Sequence, residues 1–443
     1  MTTILKTPST WPAIILRPNG APDPTGLDAA VQDGAFAGFR RAVRDLGSAG
    51  TIATVAASGL RGRGGGGRET AVKWRAAAET EAPRRYVVAH GYGADPASST
   101  DRQLLADRPF RVLEGLLIAA WAVAAEEAII AVRAEDGETI LRLGEAIAEA
   151  EAANLAGLDV LGTGRDILVR VQPIQGAYML GEETVLLKAL EGRRGQPDQR
   201  PPHPATHGLF GMPTVVQNVQ TLAAVPWILV NGPEAFTRVG DPAAPGTILV
   251  QVRGPERTGI AEVPTGTTLR EIVALGGRPG RGHAVKAVLV GGPSGGILPP
   301  TLLDTPYTFE ALRAAGAHVG SGSVVVADER ACIVDLARVL VRYCADEACG
   351  KTIPCRIGLR RLSEIGDRMT AGTSRAGDLD LLGDLAADIS ASALCDHERL
   401  ATLPLLSGMR YFQDELDAHV ERSTCPAGVC HPIAMAAGAA SAQ

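Results

Sequence analysis

The sequence predicts an α/β protein. A layered α/β domain comes first, then a smaller strand-bearing module, then a helical region that carries the cysteines. Three observations predict this order. Short apolar strand patterns alternate with helical ones to about residue 240, as in domains whose sheet is covered by helices. Composition then shifts, and two strand patterns flank one short helical pattern. From Cys332 the periodicity is helical to Val420, and no cysteine precedes that region.

Residues 1–35 are proline-rich and read as an extended lead-in. Helical patterns follow, then a glycine-rich turn at 62–67. Residues 86–89 read as a buried strand, 102–124 as one or two helices and 128–132 as a strand. Residues 138–153 read as a helix and 167–171 as a strand, with a turn at 176–181 after it. In the next module 247–252 and 287–290 read as strands and 269–275 as a short helix. It resembles a ubiquitin-like unit.

The chain has 443 residues, 46% of them hydrophobic and 21% charged. That suffices for several cores and excludes a disordered composition. Net charge is −6, and no long basic run exists, which argues against a nucleic-acid binder. The apolar run Ala13–Leu16 is too short for a secretory signal. The longer apolar stretch Leu116–Val132 is interrupted by Glu126 and Glu127, and reads as a buried helix rather than a membrane span. The expectation is a cytoplasmic protein with no direct membrane insertion, peripheral to a membrane only through partners.

The 7 cysteines are Cys332, Cys344, Cys349, Cys355, Cys395, Cys425 and Cys430. So lopsided a set is a poor disulfide framework. Clustered thiols at one end of a cytosolic chain point to metal or redox work.

Three loops carry candidate chemistry. The first, SGLRGRGGGG over Ser58–Gly67, precedes a helical stretch with Lys73 and Trp74. Glycines let backbone N–H groups approach an anion, and Arg61, Arg63 and Lys73 can add charge-assisted bonds. Alone, such a loop is equally a flexible turn. The second, GAYMLGEET over Gly176–Thr184, sets Glu182 and Glu183 after a glycine turn. They suit ribose hydroxyls or a nicotinamide amide, or simply the first turn of a helix. The third, GLFGMPTVVQNVQT over Gly208–Thr221, places Asn218 and Thr221 where they can bind a flavin ring or ribityl chain, or cap a helix.

These three strings in this order resemble the NADH-binding flavoprotein subunit of respiratory complex I. The same subunit type serves NAD-linked hydrogenases and formate dehydrogenases. The resemblance spans about Gly34 to Phe412. The strings TTLREI from Thr267 and GGPSGG from Gly291 look like the family's ubiquitin-like, SLBB-type insert. The resemblance implies an FMN/NADH-binding α/β domain over 36–240, that insert over 241–325, and a helical iron–sulfur domain over 326–420. A cysteine-containing tail over 421–443 would follow. Gly62, Arg63, Gly64 and Lys73 match positions that hold the FMN phosphate and flavin. Gly181, Glu182 and Glu183 match positions near FMN and NADH, and Val216, Asn218 and Thr221 further FMN contacts. A glutamate near the adenosine ribose would favour NADH over NADPH by repelling a 2′-phosphate.

The sequence departs from the family in two places. After residues 86–89 the family has an acidic loop of the form NADEGEPG, whereas this chain reads HGYGADPA from His90. His90 stands for Asn, Tyr92 for Asp and Gly93 for Glu, at positions that bond the flavin ring and nucleotide. Arg68 replaces a Phe of the NADH stacking slot, Gln217 an Asn and Gln220 a Glu. The second departure is in the cluster motif. The family holds a [4Fe–4S] cluster on Cys-x-x-Cys-x-x-Cys and a distant fourth Cys. Here Cys349, Cys355 and Cys395 remain and Thr352 occupies the second position. A neutral hydroxyl is a poor iron ligand beside thiolates. Three outcomes stay open: a [4Fe–4S] cluster with water or Thr352 on one iron, a [3Fe–4S] cluster, or none. Cys344 reads as a core thiol.

The tail string CPAGVCH sets Cys425, Cys430 and His431 around a turn, a set suited to tetrahedral zinc with Cys332 as a fourth ligand, or a free-thiol tail. The leading reading is an electron-transfer flavoprotein subunit that oxidises NADH via FMN. Its partner would be a thioredoxin-like [2Fe–2S] subunit or a ferredoxin within a multi-subunit redox complex. The other readings are a degenerate, non-catalytic paralogue with a structural or regulatory role, and a flavoprotein with a changed electron donor.

Overall fold

Four parallel strands form the first sheet of the computed structural model, which describes residues 3–278, 280 and 283–430. They are β1 (Tyr86–His90), β2 (Glu127–Arg133), β3 (Leu168–Ile174) and β4 (Thr214–Asn218), in the order β3-β2-β1-β4. β1 and β2 are nearly continuous apolar runs, buried along most of their length. Strands covered on both faces take that composition. Helices Thr100–Asp107 and Pro109–Val123 follow β1, Gly137–Ala152 follows β2, Glu183–Leu190 follows β3 and Val219–Asn231 follows β4.

The stretch Leu116–Val132 is not one helix. Its helix ends at Val123, Ala124 turns the chain at φ 55°, and β2 starts at Glu127. The two glutamates mark that turn, and apolarity on both sides reflects burial in two different elements. Helix Pro109–Val123 presses on helix Val219–Asn231 at Gly115, where a Cβ would stand 2.1 Å from the Leu222 carbonyl oxygen.

A hairpin of β5 (Gly240–Asp241) and β6 (Ala244–Pro245) leads to the second sheet. Its strands are β7 (Thr247–Arg253), β8 (Thr258–Pro264), β9 (Val285–Val290), β10 (Gly296–Leu298) and β11 (Ser323–Asp328), in the order β10-β9-β11-β7-β8. Helix Leu269–Leu275 lies on it and starts from a capping box of Thr268 and Glu271. The lead-in is stitched to this sheet. The N–H groups of Ile14, Ile15 and Leu16 donate to the buried Glu262 carboxylate on β8 at 2.7–2.8 Å. The lead-in is not extended throughout, since Leu27–Gln32 is helical.

Helices Ile333–Asp346, Leu359–Ala371, Asp378–Ala391, Asp396–Leu400, Leu403–Tyr411 and Gln413–Glu421 close the described chain. Their shared core includes Ile333, Val341, Leu359, Leu362, Leu382 and Ile389. Among the described residues no helix is long and apolar enough to cross a membrane.

Candidate functional site

β1 has β2 on one side and β4 on the other, so the direction of chain progression reverses between β1 and β4. A crevice at the carboxyl ends of such strands is where open parallel sheets take ligands. His90 and Asn218 are registered partners at that end.

The side chains there hold one another. Asn218 caps the following helix through the Gln220 N–H, and its Nδ2 donates to Asp101 Oδ2 at 2.6 Å. Gln220 Nε2 donates to the other Asp101 oxygen at 2.7 Å. Burial pushes the Asp101 carboxyl above its usual range. His90 Nε2 donates to the Leu180 carbonyl at 2.9 Å, and burial lowers its pKa against the pull of Asp101.

The glycine-rich loop packs beside this end. The Arg63 N–H donates to Thr221 Oγ1 at 2.8 Å. The Arg63 side chain is fully buried, with Nη2 on the Pro245 carbonyl. Its Nε and Nη1 have no partner among the described residues. Burial, helped by the charge of Arg61, lowers its pKa to about 10. Not every glycine faces a ligand. A Cβ at Gly67 would strike the Phe309 ring at 2.6 Å, and one at Gly65 the Gly320 carbonyl oxygen at 2.9 Å. Those two let the second sheet's loops dock. Gly66 stays open, Gly62 donates its N–H to the Arg68 carbonyl at 2.8 Å, and Gly64 faces Asn218. Arg61 bridges to Glu310 at 2.9 Å and lies over the Phe309 ring, so it serves docking and not an anion.

Lys73 Nζ lies 2.6 Å from Glu183 Oε2 and 3.4 Å from the Val216 carbonyl oxygen. Arg200 reaches Glu183 at 3.2 Å. Burial alone would raise the Glu183 carboxyl, but Lys73 and Arg200 hold it below its usual range. Glu182 caps helix Glu183–Leu190 through the N–H groups of Thr184 and Val185 and also meets Arg200. Its role is therefore the helix start. Gly181, just before it, approaches the Ala94 side chain. Tyr92 is fully buried, with the Arg133 guanidinium 4.6 Å above its ring and its hydroxyl unpartnered among the described residues. Asp95 turns away to Ser321 and Ser323, at 2.6 and 2.9 Å, and so clasps the second sheet.

Further along, Cys349 and Cys395 pack at the edge of one apolar cluster while Cys355 is buried in the helical core. Burial, with the charges of Glu398, Cys395 and Cys349, pushes the Cys355 thiol up to about 12. The Cys395 thiol rises to about 11, again mainly through burial. Thr352 Oγ1 donates to Glu398 Oε1 at 2.8 Å. Cys344 is a core thiol, bonded to the Pro293 carbonyl. A cleft of about 520 Å³, lined by Met179, Leu180, Val185, Glu347 and Cys349, opens beside Cys349 and not beside the glycine loop.

Comparison with known proteins fits both halves. Residues 55–227 match the Nuo51 FMN-binding domain, and 335–419 the NADH-ubiquinone oxidoreductase-F iron–sulfur binding region. The NADP-reducing hydrogenase subunit HndC of Solidesulfovibrio fructosivorans is 39% identical over 94% of this chain and 85% of its own length. The F 2 subunit of NADH-quinone oxidoreductase from Rhizobium meliloti (strain 1021) is 36% identical over 93% of this chain and 99% of its own.

The chain belongs to the family of NADH-quinone oxidoreductase F subunits.

A solved NAD+-reducing [NiFe]-hydrogenase, in the H2-reduced state, superposes with a TM-score of 0.79 at 33% identity. That match covers 87% of this chain, which spans 64% of the hydrogenase chain. The family's two groups can be tested against the side chains present. FMN fits: the glycine-rich loop leaves Gly66 open, and two buried guanidinium nitrogens of Arg63 on the same loop lack a partner among the described residues, donors that a phosphate can engage. A four-thiolate cluster set does not fit, because Thr352 is no thiolate.

The tail carries a third set. Cys332 Sγ lies 3.4 Å from His419 Nε2 and 3.7 Å from Cys430 Sγ, and Cys430 Sγ lies 3.6 Å from His419 Nε2. With Cys425 these ligand atoms all fall within 4.8 Å of one another. Burial alone would raise the Cys425 thiol, but the N–H groups of Cys430 and Val429 draw it down to about 6. His419 is fully buried, and its Nδ1 donates to the Glu415 carbonyl at 2.7 Å, which leaves the Nε2 lone pair toward the sulfurs. His431 lies outside the described residues. Sequence reading missed His419 because it sits in the last turn of helix Gln413–Glu421, where it reads as an ordinary helix residue, while His431 adjoins the cysteine string.

Proposed function

We propose that the protein oxidises NADH at FMN and passes the electrons singly, through an iron–sulfur cluster, to a partner. The partnerless Arg63 nitrogens, on the glycine-rich loop whose backbone bonds to Thr221 after β4, carry this reading. Bound FMN would supply the conversion of hydride pairs into single electrons. Arg63 and the backbone of Gly62 and Gly64 would hold its phosphate, with Asn218, Thr221 and Val216 along the rest. Lys73 would position Glu183, whose charge would face the nucleotide ribose. His90 would meet the flavin as a neutral imidazole, and Tyr92 would lend its free hydroxyl. The partner fitting this role is a thioredoxin-like [2Fe–2S] subunit or a ferredoxin, and any membrane attachment would come through partners.

The tail set is proposed as a structural zinc site of Cys332, His419, Cys425 and Cys430. Tetrahedral zinc, with bonds of about 2.3 Å to sulfur and about 2.0–2.1 Å to nitrogen, has S···S edges of about 3.8 Å and S···N edges of about 3.5 Å. The separations among Cys332, His419 and Cys430, at 3.4–3.7 Å, match those edges, and Cys425 lies within 4.8 Å of all three.

An anaerobic absorption spectrum before and after NADH tests the main reading. A band near roughly 450 nm that bleaches with NADH is expected of a bound flavin in this role. Asp95 and Glu182, both tied up within the protein, favour a second reading, a non-catalytic structural subunit. A protein that stays colourless after FMN reconstitution would establish that one.

A further inference from the structure

Glu398 is 1% exposed, yet among the described residues no lysine or arginine pairs with it. Its Oε1 accepts from Thr352 Oγ1 at 2.8 Å, and its Oε2 from the Leu394 N–H at 2.9 Å. Thr352 lies three residues from both Cys349 and Cys355, and Cys395 is the residue that starts the helix Asp396–Leu400 on which Glu398 sits. The carboxylate is therefore hydrogen-bonded to the residue midway between Cys349 and Cys355, and lies one helical turn from Cys395. A buried carboxylate without a cation is costly unless it binds one.

We propose that Glu398 is the fourth protein ligand of the iron–sulfur cluster, completing Cys349, Cys355 and Cys395 through one carboxylate oxygen. This rests on the cluster reading above. The loss of a cysteine at position 352 removes one anionic ligand from the set, and Glu398 returns that charge. Carboxylates are established iron ligands in proteins. Each Glu398 oxygen accepts only one hydrogen bond from the protein and keeps a lone pair free. Thr352 is then a positioning residue, an outer-shell donor that orients the ligand as such donors do at metal sites. A threonine at the vacated position is thus part of the replacement and not a relic.

The test is anaerobic reconstitution of the full chain with iron and sulfide, read by iron content, Mössbauer and EPR spectra. The wild type is expected to hold about four irons per chain, one of them spectroscopically distinct from the thiolate-bound three. Glu398→Ala and Glu398→Gln should lose about one iron and show the EPR signal of an oxidised three-iron cluster. Glu398→Gln keeps the side chain's size and one of its two acceptor oxygens while removing the charge, so it remains informative if the alanine variant folds poorly. Thr352→Cys combined with Glu398→Ala should restore the four-iron cluster. A four-iron cluster of unchanged spectrum in both Glu398 variants would overturn the proposal. So would a three-iron or absent cluster in the wild type while Thr352→Cys builds four. If neither protein builds a cluster, the cluster reading falls with it, and the flavin reading is judged separately by its absorption band.

Discussion

Glu183 Oε2 lies 2.6 Å from Lys73 Nζ, and its other oxygen 3.2 Å from Arg200. The two cations come from the helix after the glycine loop and from the segment after helix Glu183–Leu190. One carboxylate therefore faces two cations beside the proposed nucleotide site, and shares Arg200 with Glu182. In Glu183→Ala Lys73 is released while Arg200 keeps Glu182, and a 2′-phosphate that the carboxylate repelled would meet an unpaired cation instead. The ratio of kcat/KM for NADPH over NADH should rise by roughly tenfold, or about 1.4 kcal/mol of changed preference. Steady-state rates with both nucleotides check it, and an unchanged ratio would remove Glu183 from nucleotide selection.

Buried histidines predict the acid side of the stability profile. His90 faces Asp101 and Glu183, and His318 faces Asp95 and Asp396, but burial dominates in both and lowers their pKa from 6.5. The unfolded chain thus binds protons below about pH 6.5 that the folded chain refuses. Their contribution is present in full above that pH and is lost as pH falls toward the folded values. Each imidazole adds a slope of about 1.4 kcal/mol per pH unit in that window. Denaturant midpoints between about pH 7.5 and 5.5 should fall, and His318→Gln should flatten the fall.

Two glycines set a contrast in packing. At Gly115 a Cβ would meet backbone at 2.1 Å, so two helices must separate. Gly115→Ala should cost about 3 kcal/mol or more, the range of overpacked cores. Gly144, exposed on helix Gly137–Ala152, has nothing within 4 Å. Gly144→Ala should gain about 0.5–1 kcal/mol, because alanine loses less chain entropy in a helix. Thermal midpoints of the two variants should therefore move in opposite directions.

Much of the fold was legible because its signals are local. Helix Leu269–Leu275 begins at a Thr268–Glu271 box that sequence spacing alone reveals. Strands β1 and β2 announce themselves as apolar runs. The stretch Leu116–Val132 misled because apolarity reports burial and not conformation, and only the left-handed Ala124 divides it. In the site, the three loops could be read in order, yet their internal wiring could not. Asp101 ties Asn218 to Gln220 from a helix start that looks like any acidic first turn. Arg61 reads as an anion ligand until Glu310 and Phe309 arrive from the distant helix Phe309–Ala314. Glu398 follows Cys395 by three residues and His419 precedes Cys425 by six, yet neither spacing belongs to a ligand motif that sequence reading recognises, and their partners Thr352 and Cys332 lie far along the chain.

His419 gives the last prediction a sharp form. Its Nδ1 is anchored on the Glu415 carbonyl, so Nε2 points its lone pair at Cys332 and Cys430. A neighbour-based reading would choose His431, next to Cys430 in the chain. If the tail holds zinc as proposed, purified protein should contain about one zinc per chain. His419→Ala and Cys430→Ser should lose it, whereas His431→Ala should keep it. The metal would tie the start of helix Ile333–Asp346, where Cys332 is the cap, to the end of helix Gln413–Glu421. Zinc loss should therefore destabilise the helical region by about 3 kcal/mol, as removal of a structural metal does. Metal analysis together with denaturant unfolding checks both parts. Zinc retained in His419→Ala but lost in His431→Ala would transfer the ligand role to the tail histidine, and no zinc in the wild type would leave the four side chains as a packed thiol–imidazole cluster.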